Sequence, residues 1–189
     1  MSVISIHIHE DDWGMRNVHP IAAFGEVTAD IGAAVEASER NRAPDGIGWT
    51  DVHIIEPPSL NYGDVGLTFD TADAVLAPIM PRVRNFFATS TAGFDPAVRD
   101  PHGSYDDAYC YGFSSHCFIK LDGAGDTVQR IWFQAPSDPA QLKPLFAGLI
   151  ALDALVESVI ADYWLDATGR VRDGEFMTTY MRHLIGEDD

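Results

Sequence analysis

The chain has 189 residues, of which 46% are hydrophobic and 22% are charged, and its formal net charge is −17. A chain of this length can bury a substantial core, so we expect residues 1–189 to form a single domain. The 29 acidic residues against 12 basic ones oppose binding to the phosphates of nucleic acids, and the same charge favours a basic protein partner.

The sequence also lacks the features of membrane and secreted proteins. No stretch reaches the roughly 18 uncharged apolar residues that a membrane helix needs, since three acidic residues interrupt the longest apolar region, at 145–165. The N-terminal residues carry no secretory signal, so we expect a cytoplasmic protein. Cys110 and Cys117 are seven residues apart in one predicted strand and on opposite faces, so we expect reduced thiols.

Hydrophobic periodicity predicts the elements of the first half of the chain. In order they are a strand at 3–9, a helix from Pro20 to the break at RNRAPDG, strands at 49–58 and 64–70, and a helix from Asp70 or Thr71 to Phe87. Pro78 and Pro81 must kink or restart this last helix, because each lacks an amide hydrogen. Residues 89–108 show no periodicity and predict a long irregular loop, a candidate lid or contact loop.

The second half begins with the strongest pairing signal of the chain, a hairpin of residues 109–122 and 126–134 joined by GAG. A long helix is predicted from Pro139, capped by Ser137 or Asp138, to about Trp164, and a last helix is capped by Asp173. The clear hairpin and the absence of strict strand–helix alternation predict an α+β fold. We expect a mixed or mainly antiparallel sheet whose C-terminal hairpin packs against a long central helix and two or three further helices.

His7 and His9 are two residues apart on the predicted first strand, so their side chains point the same way. With Asp11 they spell HxHxD, which resembles the start of the metal site in metallo-β-lactamases, although Asp12 follows where that family has another histidine. The resemblance implies a metal-dependent hydrolase. Its further ligands would come from distant histidines, namely His53, His102 or His116. The alternative, which we expect, is two histidines on a polar strand face.

Residues 164–175, WLDATGRVRDGE, are similar to an EF-hand calcium loop. Asp166, Gly169 and Glu175 occupy its third, sixth and twelfth positions, whereas its first position is a tryptophan in place of a carboxylate. The alternative needs no ion: one helix ends with Gly169 as its C-cap, and a new helix is capped by Asp173. We expect the alternative.

Candidates for nucleophilic or acid–base catalysis are few. Cys110 and His116 are about 20 Å apart if their strand is extended, so the histidine cannot activate the thiol there. Ser114 lies nearer to His116, but without the sharp turn that exposes a serine nucleophile. Asp153 and Glu157 share a helix face and could form a carboxylate pair, or simply a solvated stripe, which we expect.

These patterns contain no complete catalytic constellation and indicate no cofactor. We therefore expect a small acidic cytoplasmic binding protein without catalytic activity, in the class of immunity or antitoxin proteins that neutralise a protein partner. The alternative is a metal-dependent hydrolase that uses His7 and His9, with residues 89–108 as its lid. A homo-oligomer could form through exposed aromatic side chains, with Trp13, Trp49 and Trp132 as candidates, and the alternative is that these tryptophans belong to the core.

Overall fold

The computed structural model describes residues 4–9, 12–89, 104–105 and 108–187. Four helices are present in this part of the chain: α1 (Phe24–Arg40), α2 (Phe69–Leu76), α3 (Pro139–Leu155) and α4 (Gly174–Leu184). The strands are β1 (Ser5–His9), β2 (Arg16–Pro20), β3 (Arg82–Val83), β4 (Asn85–Thr89), β5 (Ser104–Tyr105), β6 (Cys110–Ser114), β7 (Cys117–Ala124), β8 (Thr127–Gln134), β9 (Ser158–Asp162) and β10 (Ala167–Arg170).

The strands form two sheets. The larger sheet has seven strands in the order β10-β9-β2-β8-β7-β6-β3, and its neighbouring strands are antiparallel. The smaller sheet has the order β1-β4-β5, and β1 pairs with β4 in parallel. This arrangement of helices and mainly antiparallel strands confirms the predicted α+β class, with the hairpin and the central helix α3 in place.

One face of the larger sheet is covered by α2, α3 and α4. These helices pack on the largest apolar cluster of the protein, whose buried members include Leu76, Leu149, Phe133, Ile160 and Tyr180. Because α3 is apolar around most of its circumference, it can contact both the sheet and α2. None of the helices in the described part of the chain combines the length and apolar character needed to cross a bilayer.

The opposite face of the larger sheet carries two separate apolar clusters. The smaller sheet packs on β7 and β8 around Phe86, Phe118 and Trp132. Helix α1 packs on β9 through a second cluster of Val27, Ile31 and Ala161. Between these two areas, near His19 of β2 and the exposed Arg130 of β8, part of this face is left open.

The predicted helix from residue 70 to Phe87 is wrong beyond Leu76, where α2 ends. Thr68 caps α2, because its side chain accepts a hydrogen bond from the Thr71 amide. Pro78 and Pro81 cannot supply amide hydrogens to a continued helix, and the chain becomes β3 and β4 instead.

Two predicted strands are absent from the sheets, and several observed strands were not predicted, among them β2. Residues 49–58 contribute only an isolated bridge from Trp49 to Arg42, and residues 64–70 only one from Thr68 to Thr127. Strand β2 was not predicted, because most of its residues are buried and the sequence shows no clear alternation. Pro20 is therefore the last residue of a strand and not the start of a helix.

The predicted first arm of the hairpin is two strands, β6 and β7, joined by a turn at residues 115–116. At Gly112 a Cβ atom would lie 2.4 Å from the Cys117 carbonyl oxygen, so only glycine allows this close approach. Cys110 and Cys117 are free and buried on opposite faces, as expected, although they belong to different strands.

Helix α3 ends at Leu155 and not near Trp164, because the branched segment that follows forms β9, which lies between β10 and β2 in the larger sheet. The predicted cap is confirmed, since the Asp138 side chain accepts a hydrogen bond from the Ala140 amide at 2.9 Å. Asp153 near the end of α3 accepts a hydrogen bond from the Ser158 amide at 2.8 Å, which fixes the exit from the helix.

Candidate functional site

His7 and His9 lie on β1, where His7 is exposed and His9 is half-buried. The His7 amide donates to Ser115 Oγ at 3.2 Å, which joins β1 to the β6–β7 turn. In the described residues there is no group of three or more His, Cys, Asp or Glu side chains that could hold a metal ion. Asp11 and His102 lie outside the described residues, so the metal site stays a prediction.

Of the other histidines proposed as ligands, His53 lies on a different element from β1, whereas His116 follows Ser115 in the turn that contacts β1. His53 makes a hydrogen bond with Asp30 on α1, with Nε2 and Oδ1 2.8 Å apart. His116 is exposed in the β6–β7 turn, where its amide donates to Ser114 Oγ. Because Asp30 already occupies one nitrogen of His53, this imidazole has a structural role in joining two elements.

Asp153 and Glu157 do not form a solvated stripe, which corrects the interpretation made from the sequence. Asp153 is only 3% exposed, and its Oδ2 lies 2.6 Å from Arg172 Nε. Arg172 Nη1 also lies 3.5 Å from a Glu157 oxygen, so both carboxylates are paired with this arginine. These hydrogen bonds and charges raise the pKa of Arg172, so the cluster is an ion-pair network that connects α3 to the start of α4.

The EF-hand-like segment is the β9–β10 hairpin followed by the cap of α4. Asp166 adopts a left-handed conformation (φ 50°) in the hairpin turn, and Gly169 is a strand residue and not a helix C-cap. A Cβ at Gly169 would lie 2.3 Å from the Phe176 ring, which explains the glycine by packing. The Asp173 cap is confirmed, because its side chain accepts from the Glu175 and Phe176 amides.

The cysteine thiols are unsuited to nucleophilic attack at neutral pH. Burial raises the pKa of Cys110 to about 12, and burial together with Asp138 raises the pKa of Cys117 to about 11. A thiol must lose its proton to act as a nucleophile. Both cysteines therefore serve as small apolar core residues at neutral pH.

The most distinctive surface of the described residues lies beside α1. Residues 49–59 run over this helix as an irregular segment, which we name the strap. Three sets of side-chain hydrogen bonds hold it: Trp49 Nε1 to Ser38 Oγ (2.9 Å), His53 Nε2 to Asp30 Oδ1 (2.8 Å), and the Ser59 amide and hydroxyl to Glu26 (2.8 and 2.6 Å). Along the strap from Trp49 to Ser59, the partners on α1 follow in reverse chain order, from Ser38 to Glu26. The two segments therefore run antiparallel.

The strap and the loop before it present apolar side chains to solvent. The four most exposed large apolar side chains of the described residues fall within eight residues: Ile47 (81%), Trp49 (57%), Val52 (73%) and Ile54 (77%). Between Val52 and Ile54, His53 turns toward the helix and is only half-exposed. The branched side chains that predicted a strand here, Val52 and Ile54, therefore face water.

A cavity of about 380 Å³ opens between the strap and α1. Its walls are formed by the helix and the strap, and its floor includes Met15, Tyr163 and Asp166. Tyr163 donates a hydrogen bond to Asp30 Oδ2 at 2.5 Å, so Asp30 joins the floor to the strap through His53. We name Ile47, Trp49, Val52, Ile54 and this cavity together the strap face.

The surroundings of the strap face are acidic. Residues 21–66 contain eight carboxylates and two arginines. Glu39 and Asp51 line the cavity itself. The hydrogen bonds from Ser59 lower the pKa of the exposed Glu26 carboxyl, which therefore stays ionised at the end of the strap. An apolar surface with this rim attracts positively charged partners.

Sequence reasoning identified Trp49 and the acidic charge but missed the convergence that builds this surface. Asp30, His53 and Tyr163 belong to a helix, an irregular segment and a hairpin turn, and they meet only in the folded chain. The exposed Ile54 was interpreted as part of a strand. The one signal in the sequence that this segment lies outside the sheet is the pair Pro57 and Pro58, because proline cannot donate a hydrogen bond to a neighbouring strand.

No known protein family, curated protein or solved structure matches this chain.

Proposed function

We propose that the protein is a small acidic cytoplasmic binding protein without catalytic activity, of the immunity or antitoxin type, which covers a basic protein partner with its strap face. The observation that carries the proposal is the concentration of the four most exposed large apolar side chains in residues 47–54. Exposed apolar side chains that cluster and are rimmed by charge are typical of protein-binding surfaces.

Charge complementarity supports a basic partner. The carboxylates around the cavity are negative, and the whole chain has a net charge of −17. The electrostatic potential of the cavity rim and that of the whole protein therefore have the same sign. Such a field accelerates association with a positively charged surface and weakens as salt is added. The partner that fits presents an apolar side chain to the cavity and Lys or Arg side chains to Glu39 and Asp51.

Unused backbone groups support binding through an extended segment of the partner. Within the described residues, no backbone hydrogen bond joins residues 52–58 to another segment. Exposed amide and carbonyl groups of this kind can pair with an added strand. Pro57 and Pro58 lack amide hydrogens, so this pairing would be confined to about residues 52–56.

The proposal is tested by site-specific photo-crosslinking in the native host. A photoreactive amino acid replaces Ile54 in one variant and Ile150, which is 55% exposed on α3, in a matched control. We expect position 54 to capture one basic protein and position 150 to capture none. Equal capture at both positions would contradict the strap face as the binding surface.

The captured protein is then purified and titrated with variants. The double substitution Val52→Ser and Ile54→Ser removes two apolar anchors, so the dissociation constant should rise at least about tenfold. Ile150→Ser should leave it unchanged. A rise in salt should slow association of the wild-type protein, and a dissociation constant that responds to neither the double substitution nor salt would reject the proposal.

The metal-dependent hydrolase that uses His7 and His9 stays the alternative prediction. No further acidic, histidine or cysteine group of the described residues joins these two histidines in a site for a metal ion. The two functions differ in an easily measured property, the metal content of the purified protein.

A further inference from the structure

A second concave site lies on the open part of the larger sheet, between the areas covered by α1 and by the smaller sheet. Two adjoining cavities of about 520 and 140 Å³ share Trp13, His19, Pro57 and Arg130 as lining residues. Their sizes together fall in the range of small-molecule pockets, roughly 300–1,000 Å³. We name them the Arg130 cavity.

Arg130 and His19 are placed side by side by the strand register. Strand β2 pairs with β8 so that Val18 faces Ile131, and both of these side chains are buried on the helix-covered face. The next residues, His19 and Arg130, therefore project from the opposite face. Burial, with a contribution from Arg130, lowers the pKa of His19 to about 4, so this imidazole is neutral at pH 7.

Within the described part of the chain, neither of these side chains uses its hydrogen-bonding capacity. Among the described residues, the Arg130 guanidinium has no hydrogen bond or ion pair, and the His19 ring has no hydrogen bond. Both groups are therefore available to a ligand in the cavity that they line. A guanidinium offers five donors in a planar fork that matches a carboxylate, and such bonds are among the strongest in proteins.

The remaining walls suit a flat organic molecule. The Trp13 indole is held by Trp132, with ring centroids 5.0 Å apart, and it lines both parts of the cavity. Pro57 and Pro58 of the strap form an apolar wall, and the Asn61 and Gln129 amides also line the larger part. A planar ring could lie against Trp13 while its charged group reaches Arg130.

The charges around the cavity restrict the ligand to a single negative charge. Asp122 lines the larger part and Glu56 the smaller part, and Asp30 is near enough to influence His19. A doubly charged phosphate would be repelled by these carboxylates more strongly than a monoanion. We propose that the Arg130 cavity binds a small planar aromatic monocarboxylate, with the carboxylate on Arg130 and His19 and the ring against Trp13.

The proposal does not depend on the function proposed for the strap face, and it is tested with simple ligands. Benzoate, benzamide and phenyl phosphate are titrated into the ¹⁵N-labelled full-length protein, and amide shifts are followed by NMR. We expect saturable shifts at Trp13, His19 and Arg130 with benzoate, and binding at least about tenfold weaker with the uncharged amide and with the dianion. Absence of saturable benzoate binding at millimolar concentration, or equal binding of benzamide, would overturn the proposal.

A variant with a matched control locates the carboxylate. Arg130→Gln removes the guanidinium from an exposed side chain, so the fold should be retained and benzoate should bind at least about tenfold more weakly. Arg42→Gln makes the same change of charge at an exposed position outside the cavity and should leave benzoate affinity unchanged. Unchanged affinity in Arg130→Gln, or an equal loss in both variants, would reject the site.

The pH dependence gives a readout specific to His19. An anion bound beside this imidazole raises its pKa above about 4, so binding takes up protons and benzoate should bind more tightly as pH falls from 7 toward 5. The other charged groups around His19 are Arg130, Asp30, Glu56 and Asp122, so a variant of His19 itself is needed to separate its contribution from theirs. His19→Gln should remove this tightening, and its persistence in that variant would exclude His19 from the site.

Discussion

Asp162 accepts four hydrogen bonds while its side chain is fully buried. The donors come from four positions in the chain, namely Arg16 Nε (2.7 Å), Tyr180 OH (2.8 Å), Trp164 N (2.9 Å) and Leu165 N (3.2 Å). A buried carboxylate needs this number of partners to offset the loss of hydration. The residue connects β2, the β9–β10 turn and α4.

Asp162→Asn should destabilise the protein by about 3 kcal/mol, because it removes the charge opposite a largely buried arginine and leaves donors without an acceptor. The free energy of unfolding is measured by denaturant titration. Asp126→Asn, at an exposed carboxylate, should cost less than about 0.5 kcal/mol. A loss below 1 kcal/mol for Asp162→Asn would show that this network contributes little to stability.

At the scale of elements, the strap shows where sequence reasoning succeeded and where it failed. The α+β class, the hairpin and the caps at Asp138 and Asp173 were predictable, because local chemistry specifies them. The strap has the branched composition of a strand, but its strand-like pairing among the described residues is limited to an isolated bridge from Trp49 to Arg42, so tertiary context overrides its propensity. Strand β2 was missed because its sequence shows no clear alternation.

The candidate sites were even less accessible from the sequence. Arg130 and His19 are adjacent only because β2 enters the larger sheet next to β8, and β2 itself was missed. Neither residue belongs to a motif. Spacing along a chain identifies contacts within one helix or strand, whereas these sites depend on which strands become neighbours.

The tether at the end of the strap gives a testable prediction at this scale. Ser59→Ala removes the hydrogen bond from the hydroxyl to Glu26 and keeps the one from the amide, so the amides of residues 49–59 should exchange with solvent faster. The pKa of Glu26 should rise part of the way toward its ordinary value, because the hydroxyl bond is the largest cause of its lowering. Hydrogen exchange and an NMR titration measure the two effects.

The matched control is Ser137→Ala, an exposed serine before α3 whose hydroxyl makes no described hydrogen bond. It should change neither exchange in the strap nor the pKa of Glu26. Since the pKa of Glu26 is lower in the folded protein, the wild-type tether stabilises the strap above the unfolded pKa and is lost as pH falls through the folded one. Identical exchange in wild type and Ser59→Ala at neutral pH would contradict the role of the tether.

At the scale of the whole molecule, metal content separates the two predicted functions. A binding protein that acts through its strap face should retain no stoichiometric metal after purification. Elemental analysis of the wild type, His7→Ala and His183→Ala measures this directly, and His183 is an exposed histidine on α4, on the other side of the larger sheet from β1. Stoichiometric zinc, iron or manganese that is lost in His7→Ala and retained in His183→Ala would replace the binding function with the hydrolase.

The ends of the larger sheet have a consequence for how the protein behaves at high concentration. Its two outermost strands, β3 and β10, contain only two and four residues. Short edge strands offer few free amide and carbonyl groups to a second molecule. Electrostatic repulsion between copies that each carry a net charge of −17 also opposes their close approach. Edge-to-edge association of copies into fibrils is therefore disfavoured, even though the central strands of the sheet are rich in branched and aromatic residues.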